Sequence, residues 1–216
     1  DYSKVKERIT VSLGSENGLL GIEYIKGNSS SRLFAQGDAE NEWRLLGGGD
    51  GIVLRAGDST QFSDFADLVG GGGADRFILS ANTPVSSTLD GGAGDNTLEG
   101  PDGANLWTIS GNTPEVTLIH MPVEGEPSVL VANARGMTGL KGGSGDDTFE
   151  FWVANSGIGI DGGVGTGYDT VDFSNVAGNL SVELGQLQHG GISNVDELVG
   201  NSALEGAEGE RFVSKL

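Results

Sequence analysis

Apolar and polar residues alternate along this chain in short bursts and never in long ones. Arg76-Phe77-Ile78-Leu79, Val85-Ser86-Ser87-Thr88-Leu89, Trp107-Thr108-Ile109, Val116-Thr117-Leu118-Ile119 and Val129-Leu130-Val131 each have the length and the β-branched or aromatic content of a strand. No stretch sustains the i, i+3, i+4 spacing of an amphipathic helix, so the pattern predicts an all-β fold without long helices. Gly-Gly pairs punctuate the bursts at Gly47, Gly70, Gly91, Gly142 and Gly162, at intervals of 23, 21, 51 and 20 residues. One interval holds a complete coil. From Gly70 a glycine turn leads into Arg76–Leu79, Ala81-Asn82-Thr83-Pro84 turns the chain, and Val85–Leu89 returns it to Asp90. Stacked coils of this kind make two parallel sheets with rungs about 4.8 Å apart. The expected fold is a right-handed parallel β-solenoid, a β-helix or β-roll, of about ten irregular coils of roughly 20 residues. Residues 1–216 form a single segment of it, and the 51-residue interval fits two coils with degenerate turns.

A longer repeat joins the two ends. Val11-Ser12-Leu13-Gly14 answers Val182-Glu183-Leu184-Gly185, Gly21–Ile25 answers Gly191–Val195, and Gly27-Asn28-Ser29 answers Gly200-Asn201-Ser202. The unit covers residues 11–181 and a second copy starts near 182, which predicts an excerpt from a longer array whose natural neighbours are further repeats of the same chain.

Composition sharpens this picture. Glycine contributes 39 residues without the every-third-residue period of collagen. Asp and Glu number 31 against 12 Lys and Arg, a formal charge of −19. Such a chain repels phosphate, so nucleic acid is excluded as a partner, and multivalent cations are favoured. There is no cysteine, which removes disulfides and thiolate metal sites. No apolar run approaches the roughly 20 residues of a membrane-spanning helix, so direct membrane insertion is not expected.

The candidate chemistry sits in the glycine turns. The pattern GGxGxDxUx, with U a large apolar residue, is met in full by Gly70–Ile78 and by Gly142–Glu150. Gly91–Glu99 carries Asn96 in place of the aspartate, and the turn from Gly162 reaches Asp169 after two extra residues. The glycines permit positive φ and let carbonyl oxygens converge, and the aspartate adds a carboxylate. Calcium takes 6–8 oxygens, more than one turn supplies, so two stacked turns are needed. The predicted metal-binding positions are Gly71, Gly73, Asp75, Gly92, Gly94, Asn96, Gly143, Gly145, Asp147, Gly163, Gly165 and Asp169, with Ca²⁺ as the cofactor. Phe77, Leu98, Phe149 and Val171 at position U are expected to point into the core.

On these motifs the chain resembles the RTX family, the haemolysin-type calcium-binding repeats. The resemblance implies Ca²⁺ held between successive turns of a parallel β-roll. Here the coils are longer than the family's and the opposite turn carries no motif, so calcium is expected along one edge only. One ion would lie between the turns at Gly70 and Gly91 and another between those at Gly142 and Gly162. The chain is also similar to giant bacterial surface proteins with Gly-rich β-repeats, through Asn105-Leu106-Trp107-Thr108-Ile109, Gly191–Gly200, Asp90-Gly91-Gly92 and Asp161-Gly162-Gly163. That likeness implies an extracellular adhesin or stalk rather than an enzyme, with surface or matrix glycans or proteins as partners.

Other readings of single residues stay open at this stage. Asp95 and Asp146 occupy a variable motif position that faces solvent, and Asp90 and Asp161 either cap their turns or approach an ion. Trp43, Trp107 and Trp152 either stack on sugars, as in a lectin-like module, or fill the core behind a stacked asparagine. Arg32, Arg44 and Arg55, if stacked, would give a module acting on acidic polysaccharide a basic patch. His120 and His189 show no metal-ligand spacing.

Overall fold

The computed structural model describes residues 1–14, 19–80, 84–111, 115–121, 129–154, 156–177, 183–184, 191–200 and 211–213. The turn Ala81–Thr83, Val182, Gly185, His189, Asn201 and Ser202 lie outside them. Every regular element among the described residues is a strand, and the strands form two mixed sheets.

The chain passes from one sheet to the other. β1 (Thr10–Leu13) lies in the first sheet, β2 (Tyr24–Lys26) in the second and β3 (Arg32–Ala35) in the first. β4 (Asn41–Gly47), β5 (Asp50–Arg55) and β6 (Asp58–Ser63) follow in the second, β7 (Asp67–Gly71) in the first, β8 (Asp75–Leu79) in the second, β9 (Thr88–Gly92) in the first and β10 (Thr97–Glu99) in the second. β11 (Asn105–Ser110), β12 (Glu115–His120) and β13 (Val129–Arg135) return to the first sheet, before β14 (Gly139–Lys141) in the second and β15 (Asp147–Phe151) in the first. β16 (Gly159–Asp161) is in the second sheet, β17 (Thr170–Asp172) in the first, β18 (Glu183–Leu184) and β19 (Gly191–Ser193) in the second, and β20 (Glu197–Val199) and β21 (Arg211–Val213) in the first.

Successive passes pair in parallel, as in β3–β7–β9 and β8–β10–β14–β16. Two antiparallel meanders interrupt this order, β4–β5–β6 in the second sheet and β11–β12–β13 in the first. They correct the purely parallel reading. The 51-residue interval is not two coils: Val116–Ile119 folds back on the strand of Trp107–Ile109, and the strand of Val129–Val131 folds back on that of Val116–Ile119, so alternation identified the strands but not their direction. Each meander adds two strands to its own sheet, and the two insertions fall in opposite sheets.

Short connections and alternating burial position the core. In β11, Asn105, Trp107 and Ile109 are buried while Leu106, Thr108 and Ser110 are partly exposed. One inward row in the second sheet runs Trp43, Phe77, Leu98, Leu140, Ile160 and Ile192, all buried. In the first sheet Trp107, Phe149 and Val171 continue the same pattern. All four position-U residues are thus fully buried. Trp43 stacks on Phe77 with ring centroids 5.6 Å apart, and Trp107 on Phe149 at 5.4 Å. These tryptophans are core anchors, unavailable to a sugar; Trp152 alone of the three is exposed.

The three arginines do not make a basic patch. Arg32 faces Asp67 on the first sheet, Arg44 pairs with Glu42 on the second, and Arg55 turns toward Gln36 and Asn41. Of the strands in the long repeat, β1 and β18 lie in different sheets while β2 and β19 lie in the same one. Ser193–Val199 follows Ser63–Val69 more closely. Both lead from the second sheet to the first through a residue at positive φ, Asn194 at 51° and Asp64 at 60°.

Candidate metal centre

The four glycine turns fall on opposite edges of the molecule. Those at Gly70 and Gly91 leave the first sheet for the second, and those at Gly142 and Gly162 leave the second for the first. The strands that flank these turns run the same way within each sheet, so the two kinds of connection lie at opposite strand ends. This corrects the expectation of a single edge. The pairing itself is as expected: a Cβ on Gly92 would meet the Gly71 carbonyl oxygen at 2.4 Å, and one on Gly163 the Gly143 oxygen at 2.2 Å.

The first edge is a closed ladder of amides around one carboxylate. Asn41 and Asp75 begin β4 and β8 in register, Asn96 immediately precedes β10, and all three are buried. Asn41 Nδ2 donates to the Ala39 carbonyl (2.9 Å) and to Asp75 Oδ1. Gly71 N donates to Asp75 Oδ2 (2.7 Å), and Asp75 N donates to Asn96 Oδ1 (3.0 Å). Asn96 Nδ2 then donates to the carbonyls of Ala93 (3.2 Å), Gly94 (3.4 Å) and Gly136 (3.0 Å). Arg55 closes the other end, its guanidinium donating to Asn41 Oδ1 at 3.1 Å. The turns also bond to one another, Gly72 N to Gly37 O (2.7 Å) and Ala93 N to Gly71 O (3.0 Å).

The second edge repeats the ladder with more acid. Asn105 and Asp147 begin β11 and β15, and Asp169 and Asp196 immediately precede β17 and β20. Asn105 Nδ2 donates to Pro101 O (3.0 Å), Gly103 O (2.7 Å) and Asp147 Oδ1 (2.7 Å). Gly143 N donates to Asp147 Oδ2 (2.9 Å), Asp147 N to Asp169 Oδ1 (2.9 Å) and Asp169 N to Asp196 Oδ2 (3.1 Å). His120 Nδ1 lies 3.1 Å from Asn105 Oδ1, in the place Arg55 takes on the first edge.

Asp169 differs from its counterparts. Asp75 and Asp147 each receive an asparagine amide and the N–H of the motif's second glycine. The turn at Gly162 is two residues longer, and its Gly163 N–H goes instead to Asp161 Oδ1 (3.1 Å). Asp169 Oδ2 therefore has no donor among the described residues. Asp169 is among the residues lining a cleft of ≈ 280 Å³, with Asp196, Gly143–Gly145, Gly163–Gly167 and Asn194. Unlike Gly71 O on the first edge, the Gly143 and Gly145 carbonyls receive no backbone hydrogen bond from the turn stacked on them, among the described residues.

The electrostatics follow from burial. It raises the Asp147 carboxyl to about 7, against bonds from Asn105 and Gly143 that hold it down and the charge of Asp169 that adds to the rise. Asp169 is raised to about 6 by burial, then by Asp196, Asp146 and Asp161. Asp75 is also raised by burial, but the bonds from Gly71 and Asn41 and the Arg55 charge oppose it. No three His, Cys, Asp or Glu side chains converge into a metal-binding group among the described residues. A cation here would take most of its oxygens from the backbone.

The motif's first glycine is needed for closeness. A Cβ on Gly142 would meet Gly162 O at 2.1 Å and Asp147 Oδ2 at 2.4 Å, because the aspartate curls beneath the turn. Positive φ serves only the second and fourth turns, through Gly92, Gly94, Gly163 and Gly165; Gly71, Gly73, Gly143 and Gly145 lie outside that region. Asp95 and Asp146 are exposed, and Asp90 and Asp161 cap their turns by accepting Gly92 N and Gly163 N. Asn41, Asn105, Arg55, His120 and Asp196 escaped the motif reading. The recurring Asn-x-Trp was a signal for the first two, whereas Arg55 and His120 reach the ladders only through hairpin pairing. Comparison of the chain with protein-family models, with characterised proteins and with solved structures gave no match.

Proposed function

We propose that this chain is a segment of a right-handed β-solenoid rod in a secreted bacterial surface protein, a structural or adhesive spacer with no catalytic role, stiffened by calcium outside the cell. One observation carries the reading: paired glycine turns stack over buried aspartates whose charge the protein itself compensates incompletely. A hard, oxygen-seeking cation answers that deficit. The residues of the second edge fit it, offering Asp169 Oδ2 and the Gly143 and Gly145 carbonyls, which receive no donor among the described residues. Those of the first edge fit it less well, because Asn96 already directs an N–H₂ group at the converging carbonyls.

The net charge of −19 supports the same reading, since bound calcium would relieve self-repulsion. So does the absence of cysteine, which leaves an extracellular rod no disulfide to hold it. Sheet edges at both ends suit continuation into neighbouring repeats. Calcium at about 100 times its dissociation constant adds about 2.7 kcal/mol per site. Thermal unfolding by circular dichroism in EGTA and in excess CaCl₂, with MgCl₂ as control, tests the proposal. A rise in Tm of several degrees with calcium alone is expected. Equal melting in all three buffers would remove calcium from the account and leave a metal-free spacer.

A further inference from the structure

The geometry points to a divalent-cation site at the junction of the Gly162 turn with the turn that carries Asp196, and to no such site on the first edge. This rests on the calcium reading above and sharpens it. Asp196 belongs to no GGxGxD motif, so the pattern of the turns does not disclose the site.

Three observations converge there. Asp169 is 7% exposed, with one carboxylate oxygen bonded to Asp147 N and the other without a donor. That second oxygen sits beside the Asn194 carbonyl, since a Cβ on Gly162 would meet Asn194 O at 1.9 Å and Asp169 Oδ2 at 2.6 Å. A carboxylate oxygen lies by a carbonyl in the same way beneath Gly70 (Asp75 Oδ2 and Gly91 O) and beneath Gly142 (Asp147 Oδ2 and Gly162 O), but there Gly71 N and Gly143 N donate to the carboxylate, and at Asp169 Oδ2 that donor is missing. The cleft beside Asp169 adds Asp196 and the Gly143–Gly145 and Gly163–Gly167 segments, which is hard-oxygen chemistry suited to Ca²⁺.

The first edge shows what fills that place without metal. Beneath Gly91 the corresponding atom is Asn96 Nδ2, and the facing carbonyl is Gly136 O, joined by a 3.0 Å hydrogen bond. The amide group stands where the second edge needs a cation. This yields an uncommon expectation for the aspartate. In Asp169→Asn the new amide should bond Asn194 O as Asn96 bonds Gly136 O, giving a protein that no longer needs the ion.

Isothermal titration with CaCl₂ on the metal-stripped chain, with melting in EGTA and in calcium, tests the assignment. Asp169→Asn and Asp196→Asn should weaken binding at least about tenfold, and Asp75→Asn should change it less than about twofold. Asp169→Asn should also melt in EGTA at or above the wild-type temperature. Binding lost in Asp75→Asn but kept in Asp169→Asn and Asp196→Asn would overturn the assignment and leave calcium binding in place. No binding to the wild-type chain would overturn both. If Asp169→Asn fails to fold, Asp196→Asn still decides the location.

Discussion

The two edges are built on one plan and compensated differently. Each begins with an asparagine two residues before a core tryptophan, passes through the aspartate of a full glycine motif and receives a side chain from a meander. On the first edge the meander gives Arg55, a permanent cation, and the next rung is Asn96. On the second it gives His120, and the next rungs are Asp169 and Asp196. Identical folding geometry thus coexists with opposite electrostatic demand. The lesson is that a GGxGxD turn does not define its own requirement for metal; the residues stacked above and below it do.

The largest effect should be indifferent to that contrast. Trp43→Ala and Trp107→Ala each empty a stacked core position and should cost about 3–5 kcal/mol by denaturant unfolding, equally with and without calcium. Unequal losses would mean that the halves differ in packing as well as charge.

Acidity should separate the edges next. Asp147 and Asp169 have folded pKa values of about 7 and about 6, above their unfolded values. Their contribution is therefore fully present below about pH 4 and is lost as pH rises through 6 to 7. Each unit of upward shift costs about 1.4 kcal/mol at higher pH. In EGTA, Tm should fall between pH 5 and 8. Asp146, Asp161, Asp196 and His120 surround these groups, and calcium should flatten the slope by replacing the proton. A slope unchanged by calcium would separate the carboxyls from the ion.

Asn96→Asp carries the second edge's chemistry onto the first. It replaces an N–H₂ group facing three carbonyls with a carboxylate, and should cost about 1–3 kcal/mol in EGTA, recovered in part by calcium. Smallest of all, Arg76→Ala removes an exposed pairing with Glu42 and Glu99 and should cost under about 1 kcal/mol, without regard to calcium.

Much of this was legible along the chain. Period-two alternation gave the strands and the inward Phe77, Leu98, Phe149 and Val171, because burial on one face leaves that imprint directly. Strand direction left none. Val116–Ile119 reads the same whether it continues a coil or folds back as a hairpin, and that ambiguity hid both meanders. With them went Arg55 and His120, whose places depend on antiparallel register. The opposite edges were hidden for a related reason: the 51-residue interval contains an odd number of crossings between sheets, which spacing alone does not count. Asp169 stood out by its motif, but its missing donor arises because Asp161 takes the Gly163 N–H, as Asp90 takes that of Gly92.

Hydrogen exchange read by mass spectrometry, in EGTA and in calcium, tests the contrast most directly. The account predicts that calcium slows exchange in peptides covering 142–147, 162–172 and 194–199, and leaves those covering 35–41, 70–75 and 91–96 unchanged. Equal protection of both edges, or protection of the first alone, would contradict it.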